Sequence, residues 1–219
     1  MVTPASGGQG SMACARLQRR PGGPACPSSL VFLMALRSTV YKAELQVADM
    51  DRGHYGTHAL TLARHPSEND ERLMVRLLAY ALHASGGDDE PLAFANAMTE
   101  MDEPDLWRRD LTGQIELWID VGQPDEKWLR KASRRVRELV LYVYGRNGDL
   151  WWSQQRSALG KLANLRVRQV GAEDSAALAE LVQRSMRLQC TVQDGQIWLG
   201  DGERAIEFAV TELKTPAAA

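Results

Sequence analysis

Two aspartates, Asp105 and Asp120, flank a segment with turn chemistry at Thr112-Gly113. A two-residue turn there pairs Leu111 with Gln114. The same register sets Arg109 against Glu116, Trp107 against Trp118, and Asp105 against Asp120. The first two of these pairs suit one face of a hairpin. The third does not, since like charges directly opposite each other destabilise a sheet. At about 5 Å and an effective dielectric of roughly 20 the repulsion is about 3 kcal/mol. A shared proton or a bridging cation removes that cost. Mg²⁺ or Mn²⁺ takes oxygen sites of this kind, with waters completing the shell. The plainer alternative is a splayed hairpin end with both acids solvated. A third acid, Glu71, falls on the apolar arc of a helix, beside Met74, Leu77, Leu78, Ala81 and Leu82. A carboxylate there needs a partner, a cation or a proton, unless the helix dipole and nearby water suffice. Arg72, Arg76 and His83 fall on the opposite flank, where charge meets solvent. Glu68, nearer solvent, is the second choice.

Pro104-Asp105, fourteen residues, then Asp120-Val121-Gly122 matches the pattern Pro-Asp … Asp/Glu-x-Lys, with glycine where the lysine belongs. Gln123 sits one place on, and Lys131 in the next helix is the other stand-in, about 100° from that helix's buried face. In such a site Glu71, Asp105 and Asp120 would hold the metal. Gln123 or Lys131 would orient a water that the metal activates against a phosphodiester. Arg108, Arg109, Arg130, Lys131 and Arg134 form the basic stretch that would meet nucleic-acid phosphates; a solvated charged face is the alternative. Trp151-Trp152 suits base stacking or core packing. His54 and His58 share one face of a strand, and the absence of cysteine partners argues against zinc.

The elements that must position these groups follow from hydrophobic period. Alternation over 39–47 predicts a strand, a turn at Asp49 to Gly53 returns it, and 38–64 is a hairpin. Ser67 with Asp70 marks a helix start, and the helix runs to about His83. Residues 91–99 read neither way. After the 105–121 hairpin, Pro124-Asp125-Glu126 opens a helix to about Arg137. Glu138 to Tyr144 is a strand buried on both faces. A helix over 149–160, a strand at 165–168, a helix over 173–184 and a three-strand meander ending near Leu213 complete the chain. The predicted class is α+β: a mixed sheet with flanking helices plus C-terminal antiparallel strands.

Length and composition bound what such a protein can be. The 219 residues are 44% hydrophobic and 25% charged, with a formal net charge of −2. The chain can bury a core, and any grip on nucleic acid must be a local basic patch rather than a whole-chain charge. Cys14, Cys26 and Cys190 make no disulfide framework, which fits a reducing compartment. The apolar run from Leu30 to Leu36 is too short to span a bilayer. Residues 1–33, rich in Gly, Pro, Ser and Arg without period, read as a disordered leader or an upstream-start extension. Residues 34–214 read as one domain and 215–219 as a tail.

Four blocks carry a resemblance to a known family. Ala35-Leu36-Arg37-Ser38-Thr39-Val40-Tyr41-Lys42-Ala43, Leu60 to Glu68 with Glu71-Arg72, Leu117 to Gly122 with Pro124-Asp125-Glu126 and Lys131-Ala132, and Val192 to Leu199 resemble the YaeQ family. The resemblance runs from about Met34 to Leu213. It implies a bacterial, cytoplasmic protein with a variant of the PD-(D/E)XK, restriction-endonuclease-like fold, and Glu71, Asp105 and Asp120 as its acids. It implies no established reaction. Two functions follow as expectations: a Mg²⁺-dependent nuclease-like protein, or a non-catalytic nucleic-acid- or protein-binding regulatory module that keeps a degenerate nuclease pocket.

Overall fold

In the computed structural model, residues 39–84, 91–95 and 103–217 are described. The expectation for the 1–33 leader lies outside them. The first hairpin forms as its alternation predicts, with β1 (Thr39–Asp49) paired to β2 (His54–Arg64) from Thr39↔Arg64 to Asp49↔His54. The odd-numbered face of β1, from Tyr41 to Val47, is buried and the even-numbered face, with Lys42 and Glu44, meets water. Helix α1 (Asp70–His83) follows, then β3 (Ala93–Phe94), β4 (Leu106–Arg109), β5 (Ile115–Val121), α2 (Glu126–Ser133) and β6 (Glu138–Val143). Next come α3 (Gly148–Leu159), β7 (Leu165–Gln169), α4 (Ala172–Ala179), β8 (Ser185–Gln193), β9 (Gln196–Gly200), β10 (Ala205–Ala209) and β11 (Thr211–Lys214).

These strands build two mixed sheets rather than one. The first has the order β10-β9-β8-β1-β2, the second β11-β7-β6-β5-β4-β3. Strand β1 joins β8 in parallel, Lys42↔Ser185 through Asp49↔Val192, which closes the first sheet across the whole chain. The predicted meander is real for β8, β9 and β10, while β11 leaves it to pair with β7 in the second sheet. Among the described residues, no helix is long and apolar enough to cross a membrane.

Helix α1 lies between the sheets. Arg76 reaches the Ala63 carbonyl of β2 on one side, while His83 meets the Tyr142 hydroxyl of β6 on the other. Leu73 through Leu82 are therefore buried all round. This overturns the solvent flank expected for Arg76, which is 2% exposed. The cause is a second covering layer that a one-faced helical pattern does not reveal. The start of α1 is also corrected. Asn69, not Ser67, caps it, accepting the Arg72 backbone N–H at 2.8 Å. Ser67 is instead engaged with the His65 ring at 2.6 Å. Replacing Asn69 by Ala should cost about 1 kcal/mol in urea unfolding, with Ser67→Ala close to neutral.

The β4–β5 hairpin keeps part of the expected register: Leu106↔Ile119, Trp107↔Trp118 and Arg108↔Leu117. Its turn differs. Asp110 accepts the backbone N–H groups of Thr112 and Gln114 at 2.8 and 2.9 Å, and the Thr112 hydroxyl at 2.6 Å. This Asx-type wrapping enlarges the loop to Leu111-Thr112-Gly113, and Arg109 pairs with Ile115 after a register shift. The expected Arg109–Glu116 pair is lost; Glu116 faces Arg108 and Arg137 instead. Helix α2 stops at Ser133, short of Arg137, and α4 at Ala179.

Candidate functional site

Strands β5 and β6 run parallel, and their carboxyl ends meet the N-terminus of α1. Open α/β sheets place ligands at such an edge. Asp105, at the entry to β4, is drawn into this corner. Arg72 Nη2 donates to both of its carboxylate oxygens, at 2.8 and 2.7 Å. The Val121 backbone N–H donates to Oδ2 at 2.7 Å, and Arg76 Nε lies 3.5 Å from Oδ1. Burial disfavours the Arg72 charge, and the Asp105 and Glu68 carboxylates more than restore it, raising its pKa.

Asp120 turns the other way. It is 6% exposed, and Oδ2 accepts the indole N–H of Trp128, on α2, at 2.8 Å. Burial, then the negative charge of Asp105, pushes its carboxyl up to about 7. The two aspartates are thus coupled electrostatically but aimed at different helices, one at α1 and one at α2. The register that pairs Leu106 with Ile119 and Trp107 with Trp118 sets Asp105 toward Asp120, as the hairpin predicts, but each carboxylate is held by its own partners, Arg72 and the Val121 N–H for Asp105 and the Trp128 indole for Asp120. Trp118, paired across from Trp107, packs 5.8 Å from Trp128 between ring centroids. Among the described residues its indole N–H meets no acceptor at good hydrogen-bond geometry, though it lies close enough to Asp120 to favour that carboxylate.

Glu71 is half-buried and accepts the Ser175 hydroxyl at 3.1 Å, in contact with α4 rather than with the aspartates. Glu68 is the more buried acid, contrary to its expected exposure. Arg76 Nη1 donates to both of its oxygens at 2.9 and 3.0 Å. Gln123 is exposed and donates to the Tyr144 carbonyl at 3.3 Å. Gly122, at the lysine position of the motif, has φ +110°. A lysine there would be strained whatever the space, so the backbone itself explains the glycine. Lys131 is exposed, one turn beyond Trp128 on α2. Among the described residues, no three His, Cys, Asp or Glu side chains gather closely enough to hold a metal ion. A Mg²⁺ site on Asp105 and Asp120 would require Arg72 to leave Asp105, so the residues as arranged do not fit the cation.

The expected basic set is divided by the second sheet. Arg108 lines a cleft of about 540 Å³ with Glu116, Arg137, Glu138, Asn164 and Arg166, on the face opposite α2. Arg109 stacks over Trp107, 3.9 Å from guanidinium carbon to ring centroid. Arg130 is paired with Glu126 within α2, and Arg134 is exposed at its end. Sequence reasoning missed Arg72, Arg76 and Trp128 as site residues. The helical projection sets Arg72 and Arg76 on the solvent flank and leaves Glu68 as the second-choice acid, so nothing in it brings the three together.

A profile of the family described as YaeQ protein matches residues 34–210. The YaeQ proteins of Salmonella typhi and Escherichia coli K12 are each 42% identical over 185 residues, covering 84% of this chain and 100% of their own. The crystal structure of YaeQ protein from Xanthomonas axonopodis pv. citri is similar with a TM-score of 0.75 and 47% identity, over 82% of this chain and 99% of that one. That of YaeQ protein from Pseudomonas syringae gives 0.74 and 35%, over 81% and 97%. The α+β architecture is common to these structures, and the chain belongs to the YaeQ family.

Proposed function

We propose that the protein is a non-catalytic nucleic-acid-binding module, built on a nuclease-like scaffold whose cation position has been taken by an arginine. The observation that carries this reading is the Arg72 fork on Asp105. A guanidinium supplies there the positive charge that a divalent cation would supply, without a Lewis-acidic centre or an activated water. The loss of the motif lysine at Gly122 points the same way. The binding surface is the α2 face of the second sheet, where Trp107 under Arg109 continues through Trp118 to Trp128. Arg109, Arg130, Lys131 and Arg134 are the exposed cations of that side. Stacking on a half-exposed tryptophan with cations around it suits single strands, whose bases present their faces.

The test is fluorescence anisotropy of labelled single-stranded RNA and DNA, run beside a cleavage assay in Mg²⁺ and Mn²⁺. Trp107→Ala should weaken binding about tenfold, corresponding to loss of one stacked base. Arg109→Ala should weaken it and flatten its salt dependence. Affinity indifferent to both variants would remove the binding surface. The catalytic reading keeps one support, the Asp120 carboxyl held near neutrality. Metal-dependent cleavage that disappears in Asp120→Asn would replace the non-catalytic reading with the nuclease.

A further inference from the structure

The inner face of β2 carries His54, Gly56 and His58 at alternate positions. Side chains two residues apart on a strand normally stand side by side, so His54 and His58 should be separated by whatever occupies position 56. Glycine leaves that place empty, and the two imidazoles lean together across it. Their ring centroids are 5.7 Å apart and Nε2 of His54 lies 3.4 Å from Nε2 of His58. A Cβ built on Gly56 would stand 3.1 Å from His58 Nε2 and 3.4 Å from His54 Cε1. The gap is therefore about one methyl group deep.

The 3.4 Å separation admits two meanings, a long N–H···N hydrogen bond or a shared metal ion. It is longer than the usual N–H donor range of about 2.7–3.2 Å. It equals the edge of a tetrahedron whose ligand nitrogens stand about 2.0–2.1 Å from Zn²⁺, which is about 3.3–3.4 Å. The outer shell is in place as well. The Tyr80 hydroxyl lies 3.3 Å from His58 Nδ1, and the Tyr80 ring is fixed by stacking on Phe94 at 5.4 Å. With Nδ1–H donating to the Tyr80 oxygen, His58 turns the lone pair of Nε2 toward His54. His54 is buried and His58 half-buried, so the pair is held on one side and reachable on the other.

We propose that His54 and His58 form a two-imidazole site for a borderline transition-metal dication, Zn²⁺ first, with Ni²⁺ or Cu²⁺ able to use the same imidazole donors. Neutral imidazole suits these ions and not Mg²⁺. Since no third such side chain joins the pair among the described residues, water or an outside ligand completes the shell. The strand reading of two histidines without cysteines argued against zinc. What it could not contain is the convergence of the two rings over Gly56.

The experiment uses the full chain with no histidine tag, because a tag would bind the same ions. Melting temperature and calorimetric binding are followed with Zn²⁺ and with Ni²⁺, and Mg²⁺ serves as the control. The wild type should melt higher with Zn²⁺ and Ni²⁺ and unchanged with Mg²⁺, as a ligand that binds only the native state requires. His58→Gln should lose that rise. Gly56→Ala keeps both imidazoles but fills the gap, and should weaken Zn²⁺ by at least tenfold. Tyr80→Phe should weaken it about tenfold. A metal response in His58→Gln equal to the wild type's would place the ion elsewhere, at Cys14 and Cys26 for example, and overturn the site. If the substituted proteins fail to fold, Cu²⁺ broadening of the ring proton signals answers in the wild type itself. His54 and His58 must broaden before His65; the reverse order, or no selective broadening, overturns the proposal.

Discussion

Replacing Asp120 by asparagine should make the protein more stable at pH 8 by about 2–4 kcal/mol, read from urea midpoints at several pH values. The sign follows from where the proton goes. In the folded protein the carboxyl titrates at about 7, against 3.8 for the free group. Between those values the folded state holds a proton that the unfolded chain has released, so stability falls as pH rises through this window. Below pH 4 the group contributes its full share; above pH 7 the charged carboxylate is buried beside Asp105 and that share is gone. A shift of about 3 units corresponds to about 4 kcal/mol at most. Asparagine carries no charge and still offers an oxygen to the Trp128 indole. Wild type and variant should therefore converge in acid and diverge in base. A variant less stable than the wild type at pH 8 would show that Asp120 is held as an anion and that its hydrogen bond outweighs its burial.

The second large effect is expected at Arg76, which donates to Glu68 at 2.9 Å and lies 3.5 Å from Asp105. Arg76 is 2% exposed and the Glu68 side chain 5%. Arg76→Met keeps the bulk of the side chain but leaves the buried Glu68 carboxylate without its cation, at a cost of about 3–5 kcal/mol. Removing the Glu68 charge at the same time should return part of that loss. In Arg76→Met/Glu68→Gln only Asp105 remains charged, and Arg72 already pairs with it. A double-mutant cycle measures the coupling. Additive losses would mean that the two side chains pack independently and that the pair contributes nothing as a pair.

Much of the chain order was legible because its determinants are local. The alternation of β1 and β2, the apolar run of β6 and the turn residues between them need only neighbours in sequence. Trp107 opposite Trp118 was found because hairpin register propagates from a turn, even though the turn itself was misjudged. Asp110 supplies three hydrogen bonds to the loop, and side-chain wrapping of that kind is not written in the hydrophobic pattern. The candidate site was legible in its acids and illegible in their partners. Arg72 and Arg76 looked like solvent-facing charges because a helical projection knows one buried face, whereas α1 has a sheet on each side. That second sheet depends on β1 meeting β8, a pairing between distant segments that no local period encodes.

The same pairing governs how the protein can be made. As the chain leaves the ribosome, β1 and β2 emerge early and can zip into their hairpin at once. The other edge of β1 has no partner until Ser185 to Val192 arrive, on the order of ten seconds later at ordinary synthesis rates. Through that interval the hairpin carries an open edge and an apolar inner face, while α1 can be covered from the side of the second sheet only. The alternating Lys42 and Glu44 are the charges that blunt this open edge in the meantime. A chain cut short before β8 would stay in this half-covered condition. Quality control should remove it rather than let it persist, so the stretch from Ser185 to Val192 decides whether β1 is ever safe.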